Sequence, residues 1–173
     1  MKQFAHPKGP TIHTSHSLRI LAGSILAGWL LNLLPWRIDL LWLRPDFLLL
    51  ATLYWAIYQP TRIGVGSAWW LGLLTDFSDG AHIGQHAIGY ALAVYALTLF
   101  QRRLYNFPPW QQALPVMAFL LLEQVSNIVI ATFMGDSRDV LPWLASLFTG
   151  TLVWFPWWGI MHRLQVRMPP NAP

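Results

Sequence analysis

Few side chains in this 173-residue chain have the types and spacing that chemistry needs, and they fall into two groups. The first is Glu123, followed three and four residues later by Ser126 and Asn127, which share one face of a helix. The flanking sequence is apolar. An isolated carboxylate there is costly, so Glu123 is expected to be protonated or hydrogen-bonded. The group suits a proton relay or a substrate contact. It suits equally a polar clasp to a neighbouring helix, and the clasp is favoured because no facing segment offers a second ionisable residue. The second group is Asp76, Asp79, His82 and His86. Two imidazoles one helical turn apart, with Asp79 joining their face, are zinc-ligand types. However, Gly80 and Gly84 interrupt the segment and no HExxH pattern accompanies it. A glycine-punctuated turn is the simpler reading, with Asp79 or Ser78 satisfying the free amides of the next helix. No metal ligand is assigned.

The chain offers no nucleophile–base pair and no phosphate-cradling loop. Gly64-Val65-Gly66 is too short for a dinucleotide motif and follows no strand. The sequence therefore reads as a non-enzyme, with no catalytic residue and no cofactor.

The elements that must position these residues are apolar runs separated by charged loops. Hydrophobic residues make up 55% of the chain and charged residues 10%, far below the ~25% charged of a soluble domain. The charges alternate in sign from loop to loop. Lys2, Lys8, Arg19, Arg62, Arg102, Arg103, Arg163 and Arg167 account for eight of the 11 basic residues and fall on one set of loops. Asp39, Asp46, Asp76, Asp79, Asp136 and Asp139, six of the seven carboxylates, fall on the other. Short basic loops stay in the cytoplasm during insertion, so this pattern predicts a polytopic integral membrane protein with both termini cytoplasmic. The net charge of +4 forms no basic stripe, which argues against nucleic acid; charges at helix ends meet anionic lipid head groups instead. With no cysteine, disulfides and thiolate metal sites are excluded.

Six spans are predicted, over 18–34, 46–58, 63–77, 83–100, 110–133 and 140–161, giving an all-α, six-transmembrane-helix bundle over 18–161. Residues 1–17, with Pro7, Pro10 and three histidines, read as a disordered cytoplasmic tail, and 162–173 as a second cytoplasmic tail. The first run is longer than the apolar part of a signal peptide and lacks a convincing cleavage site, so it is read as uncleaved. Spans two and three are shorter than the ~20 residues that cross a bilayer. A re-entrant hairpin was the alternative, and the sign rule opposes it: Arg62 lies between the runs, with Asp39, Asp46, Asp76 and Asp79 on the far sides.

Helices in lipid associate through small residues and a few hydrogen bonds. Such faces pair Gly23 with Ala27 and Ser24 with Gly28 in span one, Gly64 with Ala68 and Ala68 with Gly72 in span three, and Ala87 with Ala91 and Gly89 with Ala93 in span four. Internal packing is the simpler use for them; docking of another membrane protein is the other. Trp36, Trp42, Trp55, Trp110, Trp143, Trp157 and Trp158 fall near span ends, where an indole ring prefers to sit. Trp29, Trp69 and Trp70 lie deeper and are assigned to helix packing.

Arg44-Pro45-Asp46-Phe47, then Tyr54-Trp55 and Pro60, resembles the opening of the MreD family of rod-shape-determining membrane proteins. So does the ordered set Gly64, Gly66, Gly72, Leu74, Asp76, Gly80, Gly84 and His86-Ala87, followed by Trp110-Gln111-Gln112-Ala113-Leu114. The resemblance covers residues 18–165, and the longer His-containing tail departs from it. It implies an inner-membrane, non-enzymatic member of the cell-elongation machinery, acting beside MreC, MreB, RodA and RodA's partner transpeptidase. It further implies a fold similar to the substrate-binding subunits of energy-coupling-factor transporters. On this reading the protein is a scaffold that docks MreC and helps set where peptidoglycan is made. The small faces of spans one, three and four would be docking surfaces, with the periplasmic turn 76–86 near the partner's membrane exit. The rival is a small-molecule-binding transporter subunit that reads a ligand with Glu123 and Asn127. Arg44, Pro45, Asp46, Gly64, Gly72, Asp76, Gly80, Gly84, His86, Glu123 and Asn127 are the candidate partner-binding or structural residues.

Overall fold

A computed structural model describes residues 14–37, 43–135 and 140–166. Asp39, Trp42, Asp136, Asp139 and most of both tails, with Lys2, Lys8 and Arg167, lie outside the described residues. Six helices follow one another, α1 (Thr14–Leu33), α2 (Phe47–Tyr58), α3 (Val65–Asp79), α4 (Gln85–Asn106), α5 (Pro109–Phe133) and α6 (Val140–Val166), and there is no strand among the described residues.

Local chemistry explains most of these boundaries. Pro35 closes α1, since the residue before a proline avoids the helical conformation. Asp46 opens α2 by accepting the amide of Leu49 at 2.9 Å, the usual role of an N-cap carboxylate. Pro60 follows α2, and Pro109 occupies the first turn of α5, where its missing N–H costs nothing. Gly80 and Gly84 adopt φ of 63° and 97°, left-handed conformations that cost a side-chain-bearing residue, and they bend the chain between α3 and α4.

Four boundaries differ from the sequence expectation. The first helix begins at Thr14 rather than at 18. The third is shifted two residues later, to end at Asp79, because Asp76 and Asp79 lie inside its last turn. The fourth runs on to Asn106 and carries Arg102 and Arg103 as helical residues. The sixth continues to Val166, so the segment 162–166 belongs to it and not to a tail. In each case charged or polar residues extend a helix beyond its apolar run, which hydrophobicity alone does not register.

The second helix is the axis of the molecule. Leu48 through Ile57 are buried without exception, enclosed by α1, α4 and α6 with α3 alongside. A helix that is apolar all round can be enclosed by protein on every side without stranding polar side chains. Its 12 residues rise about 18 Å. The remaining helices ring it in the order α3, α4, α5, α6, α1. Among the described residues, one helix, Pro109–Phe133, is by itself long and apolar enough to cross a membrane; Leu18–Leu33 and Phe47–Tyr58 are shorter apolar helical stretches.

Close approach between helices depends on glycine. A methyl group on Gly28 would lie 2.9 Å from the Phe47 carbonyl of α2, and one on Gly72 would lie 2.5 Å from Ala87 Cα of α4. On Gly89 it would meet Ser126 Oγ at 2.9 Å and Glu123 Cγ at 3.0 Å, both on α5. These small faces are used inside the bundle. Gly23 and Gly64 have open space where a side chain would begin.

Candidate functional site: a polar network at the helix ends

The end of α1, the start of α2, the end of α3 and the start of α4 meet at one pole of the bundle, and most of the candidate residues gather there. Asn32, near the end of α1, donates from Nδ2 to Asp46 Oδ1 at 2.8 Å and accepts the Phe47 amide on Oδ1 at 2.9 Å. The other oxygen of Asp46 accepts the Tyr90 hydroxyl of α4 at 2.5 Å, and that hydroxyl accepts a bond from Thr75 of α3 at 3.2 Å. Four helices are thereby joined through one carboxylate and one phenol. Arg44 adds a clamp, donating to the Asn32 carbonyl at 2.9 Å and forming an ion pair with Asp79 at 3.0 Å. The two side chains of that pair are 25% and 27% exposed, so it faces outward.

Asp76 is buried and caps α4 from α3. Its carboxylate accepts the backbone amides of Gly84 at 2.8 Å and His86 at 2.7 Å, with Ala87 at 3.4 Å and the His86 ring Nδ1 3.0 Å away. An anion at a helix start satisfies orphan amides and meets the positive end of the helix dipole. The expected capping residues, Asp79 and Ser78, are otherwise engaged. Asp79 pairs with Arg44, and Ser78 accepts the Trp29 indole N–H at 2.8 Å while donating to the Leu74 carbonyl. Asp76 takes the role because it alone of the three is directed into the α3–α4 seam, where Gly72 lets the helices touch. His82 lies exposed in the turn before α4, so the two histidines share no helix face and the four presumptive zinc ligands do not converge.

Glu123 and Asn127 are 5% and 2% exposed and hydrogen-bonded to each other, from the Asn127 amide to the Glu123 carboxylate. Ser126 turns aside and donates to the Glu123 carbonyl at 2.7 Å. Sequence spacing brought these three together correctly but missed their surroundings. His86 lies within electrostatic range of Glu123, Asp46 and Asp76, an ionisable neighbour that sequence spacing did not reveal. Tyr90, Thr75 and Asn32 were also missed. Asn32 had a legible signal, as a carboxamide near the end of an apolar run.

The opposite pole is tied by Tyr58, whose hydroxyl accepts bonds from Gln112 at 3.0 Å and the Trp158 indole at 2.7 Å. Gln112 also reaches the Leu104 and Phe107 carbonyls and so fastens the α4–α5 turn. The tryptophans divide differently from expectation. Trp55 is fully buried, donating to Ser24 at 2.6 Å, whereas Trp70 is 67% exposed beside Trp69, on the outside of the ring.

Among the described residues the arrangement holds helices together through buried hydrogen bonds, while Asn127 Oδ1 and both polar atoms of Gln85 are left without partners. Asp46 and Asp76 are saturated with donors, and such groups act structurally. Comparison with known proteins agrees with the sequence resemblance. The family model "rod shape-determining protein MreD" matches residues 15–163. A rod shape-determining protein MreD from Haemophilus influenzae is 28% identical over 146 residues, covering 83% of this chain and 88% of the relative. No solved structure matches the chain, and the expected kinship with energy-coupling-factor subunits gains no support there. The chain belongs to the MreD family of rod shape-determining membrane proteins.

Proposed function

We propose that the protein is a non-enzymatic scaffold of the cell-elongation complex, crossing the inner membrane six times with both termini in the cytoplasm. It docks MreC and, through MreC, acts with MreB, RodA and the partner transpeptidase to set where peptidoglycan is made. Family membership supports the shape-determining role. The docking reading is carried by the Arg44–Asp79 pair, which stands partly exposed and ties the loop before α2 to the end of α3. Behind it, the hydrogen-bonded network of Asn32, Asp46 and Tyr90, with the buried Asp76 cap, holds the helix ends in place. The alternation of loop charges puts that pole in the periplasm, where the partner leaves the membrane.

Gly72 is a poor probe of docking, because a larger side chain there would strike the α4 backbone and damage the bundle itself. Asp79 is a better one. A partly exposed ion pair contributes at most about 1 kcal/mol, so Asp79→Ala leaves the fold intact. In cells depleted of the native protein, Asp79→Ala is expected to accumulate normally, to lose MreC on co-purification and to leave cells round. Rods of normal width with full MreC recovery would remove this surface from consideration.

A further inference from the structure

We propose that the α4–α5 seam holds a monovalent alkali cation, Na⁺ or K⁺, on the carboxylate of Glu123 and the carboxamides of Asn127 and Gln85. Three observations on different residues lead to it. Asn127 spends its amide nitrogen on Glu123, while its buried Oδ1 has no hydrogen-bond partner. Exchanging the two ends of that amide leaves the nitrogen unpaired instead, so one buried polar atom is unmatched either way. Gln85 is fully buried, and neither its Oε1 nor its Nε2 has a partner. Buried carboxamides are almost always satisfied, and these two at the same end of one seam call for a ligand; the unpartnered Gln59 and Gln112 oxygens lie toward the opposite pole.

Placement follows from helix geometry. Gly89 lies directly against Glu123 and Ser126. Gln85 stands one turn before Gly89 on the same face of α4, and Asn127 one turn beyond Glu123 on α5. The helices are sequential neighbours joined by a tight turn and run antiparallel, so Gln85 and Asn127 occupy facing positions.

The chemical class follows from charge and donor type. Asp46 accepts from Asn32, Leu49 and Tyr90, and Asp76 from Gly84, His86 and Ala87. Glu123 accepts only from Asn127 among the described hydrogen bonds, which leaves it the least compensated carboxylate of the three. With the His86 ring held against Asp76, a single further positive charge balances it. Carboxylate and amide oxygens are hard donors, which suit alkali and alkaline-earth ions rather than zinc or copper. No three His, Cys, Asp or Glu side chains among the described residues form a metal-holding group, so the site would rest on one carboxylate and amide oxygens. Within electrostatic range of Glu123 lie His86 and Tyr90 of α4, Asp76 of α3 and Asp46 just before α2.

The test is a thermal melt of the purified full-length protein in detergent, in NaCl, KCl and choline chloride at equal ionic strength, repeated from pH 6 to pH 8. Replacing choline by the preferred ion should raise the midpoint saturably by about 3 °C or more. The response should vanish in Glu123→Gln and in Gln85→Met and persist in Ser126→Ala. If Glu123→Gln does not fold, Gln85→Met alone decides the matter. Comparison of the first two salts identifies the ion. Identical midpoints in all three salts would overturn the proposal and leave a proton or a water molecule as the occupant. A cation response retained in Gln85→Met would overturn it as well.

Discussion

Asp76 shows how much one side chain can determine here. It joins α3 to α4 by accepting three backbone amides and lying against the His86 ring. Asp76→Ala removes a helix cap and strands buried donors, for a combined cost of about 2–4 kcal/mol. A lowered melting midpoint with little folded protein recovered is the expected result; a midpoint within a degree of the parent would refute the cap. Trp55 permits a finer partition. Trp55→Phe removes the bond to Ser24 together with part of the ring volume, at about 1–3 kcal/mol, whereas Trp55→Ala opens a larger cavity and costs about 3–5 kcal/mol. Denaturation of Ser24→Ala beside these two variants separates the polar contribution from the packing one.

Among the elements, α2 and the α3–α4 pair carry the clearest consequences. The shortness of spans two and three was visible in the sequence, but its reason was not. The second helix has protein on every side, so its length answers to its neighbours rather than to the hydrocarbon thickness. Small-residue spacing likewise revealed which glycines could support close packing without showing which do. Gly72 is pressed against α4 and Gly23 is open. Gly72→Leu should therefore cost about 3 kcal/mol or more, since the obstructing atoms are backbone that cannot rotate away. Gly23→Leu should stay within about 0.5 kcal/mol. Equal melting of the two variants would contradict the packing described.

For the whole molecule, the proposed placement in the bilayer has direct consequences. Only α5 is long and apolar enough on its own account, among the described residues, to cross a membrane. On the proposed topology, loop charge orients the remaining helices. Reporter fusions at the two termini should both be active only in the cytoplasm, and a fusion in the 80–84 turn only in the periplasm. Moving the Arg102-Arg103 pair into that turn should disturb the arrangement, because basic residues resist translocation. Unaltered reporter activity would show that loop charge does not orient this chain.

Sequence alone determined the number of helices, their approximate limits and the family. Prolines, the Asp46 cap and left-handed glycines act within a few residues of where they stand, so a linear reading can register them, whereas the α4 cap comes from Asp76 and not from the Ser78 or Asp79 that the sequence offered. Tertiary structure alone decided which carboxylate serves which helix. Asp46 meets Tyr90 across 44 positions, and Arg44 meets Asp79 across 35. Such pairings depend on how helices rotate about their axes, and those rotations are set by packing around α2 rather than by any local run of residues.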